Sequence, residues 1–250
     1  MSPETPPPDV APPPEVPPPE SYPFWGYLDL FAFLLIALLG MIVESVAGAA
    51  ILAATHVKQI FVLLPAQLVL YGFLLGTLAL MFRRYYGRPF WQSLRWVPGN
   101  LSALASAACG VAAAFSVMLA SVLLRTPDIN SPMKSLLSDR TSMLLVGILG
   151  TTIAPACEEI LFRGFLQPLF VRSAGAAGGI LMAAVPFGLL HLQEYGYSWR
   201  HALLITGAGA AFGAMRQYTG STRAAAVMHA AYNGLFFLLL VLQQVAAHGR

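Results

Sequence analysis

Charge is scarce in this chain: Asp, Glu, Lys and Arg together make up 10% of its 250 residues, against about 25% in an ordinary soluble domain. Cysteine is nearly missing too, and the two present, Cys109 and Cys157, both fall inside apolar stretches, which excludes an extracellular disulfide framework. No block of like charge occurs. The net charge of +3 comes from arginines scattered between apolar runs, which argues against a nucleic-acid partner. The His-Glu-x-x-His helix of common zinc peptidases is likewise absent.

What the chain has instead is apolar length. It is 57% hydrophobic, with a mean hydropathy of +0.68. Apolar stretches run over 30–55, 60–82, 101–124, 142–170, 176–193, 201–215 and 224–246, and most reach the roughly 20 residues that a spanning helix needs. The expected fold is all-α, a polytopic membrane helix bundle of about seven spans.

Three regions follow from composition. Residues 1–23 hold 11 of the 19 prolines and four of the 11 acidic residues, the composition of a disordered, polyproline-like spacer. Residues 24–141 supply the first transmembrane helices, and 142–246 the region that carries polar chemistry. The start is acidic and proline-rich rather than basic, so the first apolar run reads as a retained span, not a cleaved signal peptide. Over 83–96 four arginines alternate with aromatics, a mixture suited to the headgroup layer. That loop is expected on the cytoplasmic side, which places the N-terminus inside. Ala47-Gly48-Ala49, Gly175 with Gly179, and Gly209 with Gly213 read as small-residue packing positions.

An ionisable group at membrane depth is costly unless paired or wetted, so it marks function by default. Glu158, Glu159 and Arg163 are three such groups within six residues. On a helix, Glu159 and Arg163 lie four apart and pair on one face, while Glu158 is turned about 100° away and left free. Phe187 and His191 repeat the four-residue spacing on the next span, as do His229 and Asn233 on the last. Each of the three sets also has a plain structural account: an ion pair locking helices, a core histidine bonded to a carbonyl, a polar contact between helices. Together they form a hydrolytic set. A carboxylate in a partly dry pocket takes a proton from water held between it and a histidine, which fits Glu158 and His191. An amide and a ring N–H stabilise the resulting oxyanion, which fits Asn233 and His229. Arg163 holds Glu159, and Phe187 packs beneath His191.

The run Glu-Glu-x-x-x-Arg at 158–163, Phe-x-x-x-His at 187–191 and His-x-x-x-Asn at 229–233 resembles the CAAX protease and bacteriocin-processing (CPBP) family of intramembrane glutamic endopeptidases. The resemblance covers about 142–240. It implies a helical membrane fold with an intramembrane catalytic cavity. It also implies catalytic residues Glu158, Glu159, Arg163, His191, His229 and Asn233, no cofactor, and a protein or peptide substrate in the bilayer, either lipidated or C-terminally anchored. High alanine, proline and arginine usage points to a GC-rich bacterium and hence to the inner membrane.

Other expectations stay open beside it. Glu158, His191 and His229 make a conceivable zinc set for the same hydrolysis. Cys157 could act as a thiol nucleophile, although it lies about 100° from Glu158 on a helix. A non-catalytic immunity or scaffold protein, or a small transporter, would also use buried charges. Glu44, in the middle of the first span, matches no motif and is assigned a polar contact between helices or a cavity-lining place. His56, His201 and His248 fall near span ends and are expected at the interface.

Overall fold

The computed structural model describes residues 22–248 apart from 130 and 138, and among them every regular element is helical. The tail expected over 1–23 lies outside the described residues except for Tyr22 and Pro23. Those two are docked: Arg216 Nη2 donates to the Tyr22 hydroxyl at 3.1 Å, and Arg172 Nη1 to the Pro23 carbonyl at 2.6 Å.

Helices α1 (Tyr27–Ala54) and α2 (Ile60–Met81) form a hairpin across residues 55–59. Their sequences are apolar all round, as lipid-facing helices must be. Large side chains such as Leu28, Leu39 and Val46 accordingly stay exposed, while Leu30 and Phe33 face inward. A π-helical turn, Phe82–Tyr86, extends α2 and ends at Gly87, whose φ of 61° suits glycine. The arginine loop then holds the short α3 (Phe90–Ser93). Helix α4 (Ala103–Leu123) is capped by Ser102, whose side chain accepts from the Ala105 amide. The short α5 (Pro132–Leu136) precedes α6 (Arg140–Thr151), capped in the same way by Asp139, which accepts from the Ser142 amide at 3.0 Å.

From α6 the chain runs through α7 (Ile153–Glu159), a π-helical segment Ile160–Leu166 and α8 (Gln167–Leu190), followed by α9 (Trp199–Thr219) and α10 (Thr222–His248). Among the described residues, five helical stretches are long and apolar enough to cross a membrane: Tyr27–Ala54, Ile60–Tyr86, Ala103–Leu123, Arg140–Leu190 and Thr222–Ala246. The fourth has 51 residues, about 76 Å of helix at 1.5 Å per residue, more than twice a hydrocarbon core of about 30 Å. It is broken at Thr152 (φ −129°, ψ −80°) and at Gly175 (φ 71°, ψ 176°), so it holds room for two passages. With α9, which is not among the five, the seven apolar stretches of the sequence are all helical.

Gly175 is not the packing position that its spacing suggests. A Cβ at Gly175 would meet nothing within 4 Å, and its backbone lies in a region open essentially to glycine alone. Gly175 is a bend, and the close approach across it falls to Gly179, against Val171.

Helix α10 is central, packed against α4, α6, α7 and α9, while α8 lies along α9. Gly110 of α4 approaches it closely, since a Cβ there would strike the Met228 carbonyl. At the other end an aromatic cluster joins Trp25, Phe33, Phe82 and Phe165. Trp25 is wholly buried and its indole N–H donates to the Phe165 carbonyl at 3.1 Å.

Candidate active site

The hexad at 158–163 straddles a change of helix type. Glu158 and Glu159 end α7, and Arg163 sits inside the π-helical segment that follows. Such π segments are rare and gather at functional sites because they re-aim side chains within a continuous helix. Nothing in the apolar pattern of the sequence marks this one.

Glu159 and Arg163 pair as expected, Nη1 to Oε1 at 3.0 Å, with both side chains fully buried. The same Oε1 also accepts from His229 Nδ1 at 3.0 Å. Thus the last span is bonded to the carboxylate that sequence spacing paired only with arginine. Arg163 is further held by the Gly209 carbonyl, which Nη2 reaches at 2.7 Å, and by the Phe187 ring, 4.5 Å from the guanidinium carbon. One turn along, Gln167 Nε2 donates to the Gly213 carbonyl at 2.9 Å.

These two bonds explain Gly209 and Gly213. A Cβ at Gly209 would lie 2.9 Å from Arg163 Nη2, and one at Gly213 would lie 2.7 Å from Gln167 Oε1. The four-residue glycine spacing opens a slot on α9 for two polar side chains at the same spacing, rather than bringing two bare helix backbones together.

Glu158 differs from its neighbour. Its side chain keeps 19% of its exposure while Glu159 keeps none. Oε1 accepts from the Tyr71 hydroxyl at 2.8 Å, and Oε2 faces His229 Nε2 at 3.9 Å, beyond hydrogen-bond length. Spacing alone left Glu158 free; the structure gives it a partner from α2.

His191 caps the C-terminus of α8, and its Nδ1 lies 2.7 Å from the Phe187 carbonyl. A carbonyl only accepts, so Nδ1 carries the proton and Nε2 is the open nitrogen of the neutral ring. Among the described residues no ion pair joins His191 to Glu158. The link is the Phe187 ring, whose centroid lies 4.7 Å from that of His191 and 5.8 Å from that of His229. His229 also stacks on Phe212 at 4.4 Å. Asn233, one turn beyond His229, donates Nδ2 to the Gly150 carbonyl of α6 at 2.7 Å. That bond fixes which amide atom is nitrogen and leaves its second N–H available.

The start of α10, two turns before His229, is clipped to the loop after α3. Thr222 Oγ1 donates to the Leu94 carbonyl at 2.6 Å, the Thr222 amide donates to the Arg95 carbonyl at 3.0 Å, and Ser221 Oγ donates to the Val97 carbonyl.

Two residues escaped the sequence argument. Tyr71 is one of many apolar and aromatic residues of α2, and its role appears only from its approach to Glu158. Glu194 lies in the turn after α8, three residues past His191, a spacing that could have prompted attention. Burial pushes the Glu194 carboxyl up from its ordinary value; the nearby His191 opposes that shift and Glu158 adds to it. Other polar groups stand apart. Glu44 accepts from its neighbour Ser45 at 3.5 Å, a local contact in place of one between helices. Cys157 is buried in a small apolar cluster with Tyr71 and Ala154. Among the described residues no group of three or more His, Cys, Asp or Glu side chains is arranged to hold a metal, and that includes Glu158, His191 and His229.

With this geometry in hand, the comparison with known families is direct: residues 140–235 match the model described as type II CAAX prenyl endopeptidase Rce1-like. This segment, 96 of the 250 residues, is similar to that family. The match takes in all six residues of the hydrolytic set and supports a CAAX-type intramembrane protease function in general terms. Together with the five apolar helices it makes the chain an integral membrane protein. No curated protein and no solved structure matches the chain.

Proposed function

We propose that the chain is an intramembrane glutamic endopeptidase that hydrolyses a peptide bond of a lipidated or C-terminally anchored membrane protein. The observation that carries this reading is the unequal treatment of two adjacent carboxylates. Glu159 is sealed and bonded to both Arg163 and His229, whereas Glu158 stays partly exposed and, among the described residues, has one oxygen without a hydrogen-bond donor. A purely structural ion pair has no use for the second glutamate.

In the proposed reaction a water bound between Glu158 and His191 Nε2 loses a proton to Glu158 Oε2 as its oxygen attacks the scissile carbonyl. The carbonyl oxygen becomes an oxyanion. His229 donates its Nδ1–H to Glu159, and in the reaction its Nε2, protonated, donates to that oxyanion. The free N–H of Asn233 is the second donor, and removal of one such donor costs about 10²–10³-fold in rate. When the intermediate collapses, the C–N bond breaks and the proton held by Glu158 passes to the leaving amine. Arg163 holds Glu159 in its ion pair, and Phe187 closes the floor beneath both histidines.

The proposal places the chain in a bacterial cytoplasmic membrane with its N-terminus inside, on the charge of the 83–96 loop. No cofactor takes part. The test is mass spectrometry of membrane-protein termini in cells carrying the wild type or Glu158→Gln. Termini that vanish in the mutant, with a shared cleavage context and unchanged abundance of the variant protein, are expected. A drop of about 10²–10⁴-fold in cleavage fits loss of a general base. Unaltered termini would sink the protease reading, and activity abolished by chelator and restored by zinc would replace the metal-free mechanism.

A further inference from the structure

We infer that Tyr71, on α2 and outside the segment that matches the protease family, is a positioning residue: it ties Oε1 of Glu158 and so leaves Oε2 as the oxygen that exchanges protons. The inference rests on the reading of Glu158 given above and deepens it.

Three observations carry it. The Tyr71 hydroxyl donates to Glu158 Oε1 at 2.8 Å, across 87 residues of sequence. Tyr71 is 8% exposed and packs with Ala154 and Cys157 of α7, so its ring is fixed by the helix that carries Glu158. The other oxygen, Oε2, faces His229 Nε2 at 3.9 Å. The two oxygens of one carboxylate are therefore distinguished, one occupied and one facing the oxyanion side of the site.

A donor to an ionised carboxylate also keeps it ionised. The groups around Glu158 are mixed in charge. Glu159 and Glu194 are carboxylates, while Arg163 and His229 each give a hydrogen bond to Glu159. Cys157 lies on the same helix and Tyr71 on α2. Among these groups Tyr71 is the one that donates a hydrogen bond to Glu158, and α2 thereby completes a site that the family-matching segment does not complete alone.

The test needs no substrate. Purified full-length protein in detergent is titrated by infrared spectroscopy, the Glu158 carboxyl band being identified by its loss in Glu158→Gln. Tyr71→Phe removes only the hydroxyl and should move the midpoint of that band up by about one pH unit. para-Aminophenylalanine at position 71, which keeps the ring and an N–H donor, should return the midpoint toward that of the wild type and serves where the Phe variant accumulates poorly. Leu75→Ala, one turn along and packed on the same cluster, should lower the unfolding temperature without moving the midpoint. A Tyr71→Phe midpoint equal to the wild-type value overturns the proposal. A midpoint moved equally by Leu75→Ala does so too, since packing alone would then account for it.

A second arm uses a prenylated Cys-a-a-X peptide as probe. If it is cleaved, Tyr71→Phe should shift the acid limb of the rate profile upward by the same amount, with activity recovering at higher pH. If the wild type leaves it intact, the endopeptidase reading loses support while the infrared result still decides the role of Tyr71.

Discussion

Glu159 is wholly buried and would be intolerable there as a lone charge, at a cost of several kcal/mol. It is held because Arg163 and His229 both reach the same oxygen, while the guanidinium donates from Nη2 to a backbone carbonyl and lies over an aromatic face. Glu158 is spared this role and keeps part of its side chain exposed. Glu194 is the counterpart outside the spans. Its carboxyl is raised by burial, so its ionised form is disfavoured in the folded protein. A raised carboxylate contributes stability that is fully present below its unfolded value and lost as pH rises through the folded one. Glu194→Gln should therefore raise the unfolding temperature at neutral pH, with the difference closing toward about pH 4, where the wild-type carboxyl is protonated in both states. Thermal unfolding in detergent between those limits checks this, and a difference that widens on acidification would show the sign to be wrong.

At the scale of elements, the site is assembled by breaks in regular helix. Thr152 ends α6, the π segment re-aims Arg163, and Gly175 bends α8. The slot on α9 is the most testable of these features. Gly209→Ala would put a methyl within 2.9 Å of Arg163 Nη2, and loss of that buried, charge-assisted bond should cost about 1.5–3 kcal/mol. Gly207→Ala, where a Cβ would meet nothing within 4 Å, is the control and should be nearly silent. Parallel melting curves and cleavage assays distinguish the two. Equal effects would mean that general helix packing, not the arginine, sets the requirement for glycine. The spacing of Gly209 and Gly213 was legible in the sequence, yet its purpose was not, because the partners lie 46 residues away.

Over the whole molecule, the first two helices and the short segment before them are not merely a membrane anchor for the later ones. Trp25 is buried against the π segment and donates to its Phe165 carbonyl, Arg216 reaches back to Tyr22, and Tyr71 bonds Glu158. Trp25→Ala should destabilise by about 3–5 kcal/mol, in the range for truncating a buried large aromatic. Because the indole also satisfies a carbonyl within the π segment that carries Arg163, activity should fall even at temperatures where the variant remains folded. An active variant with normal melting would refute the anchoring role. The sequence by itself determined that the chain is helical and membrane-embedded, and it singled out Glu158, Glu159, Arg163, His191, His229 and Asn233. Hydropathy and four-residue spacing are local properties, and polar groups at membrane depth are too costly to be incidental. Only the tertiary structure decided that His229 shares Glu159 with Arg163, that Asn233 bonds to the Gly150 carbonyl, and that Tyr71 and Glu194 belong near Glu158. Those contacts join helices far apart in sequence, and a π turn and a glycine bend set their angles.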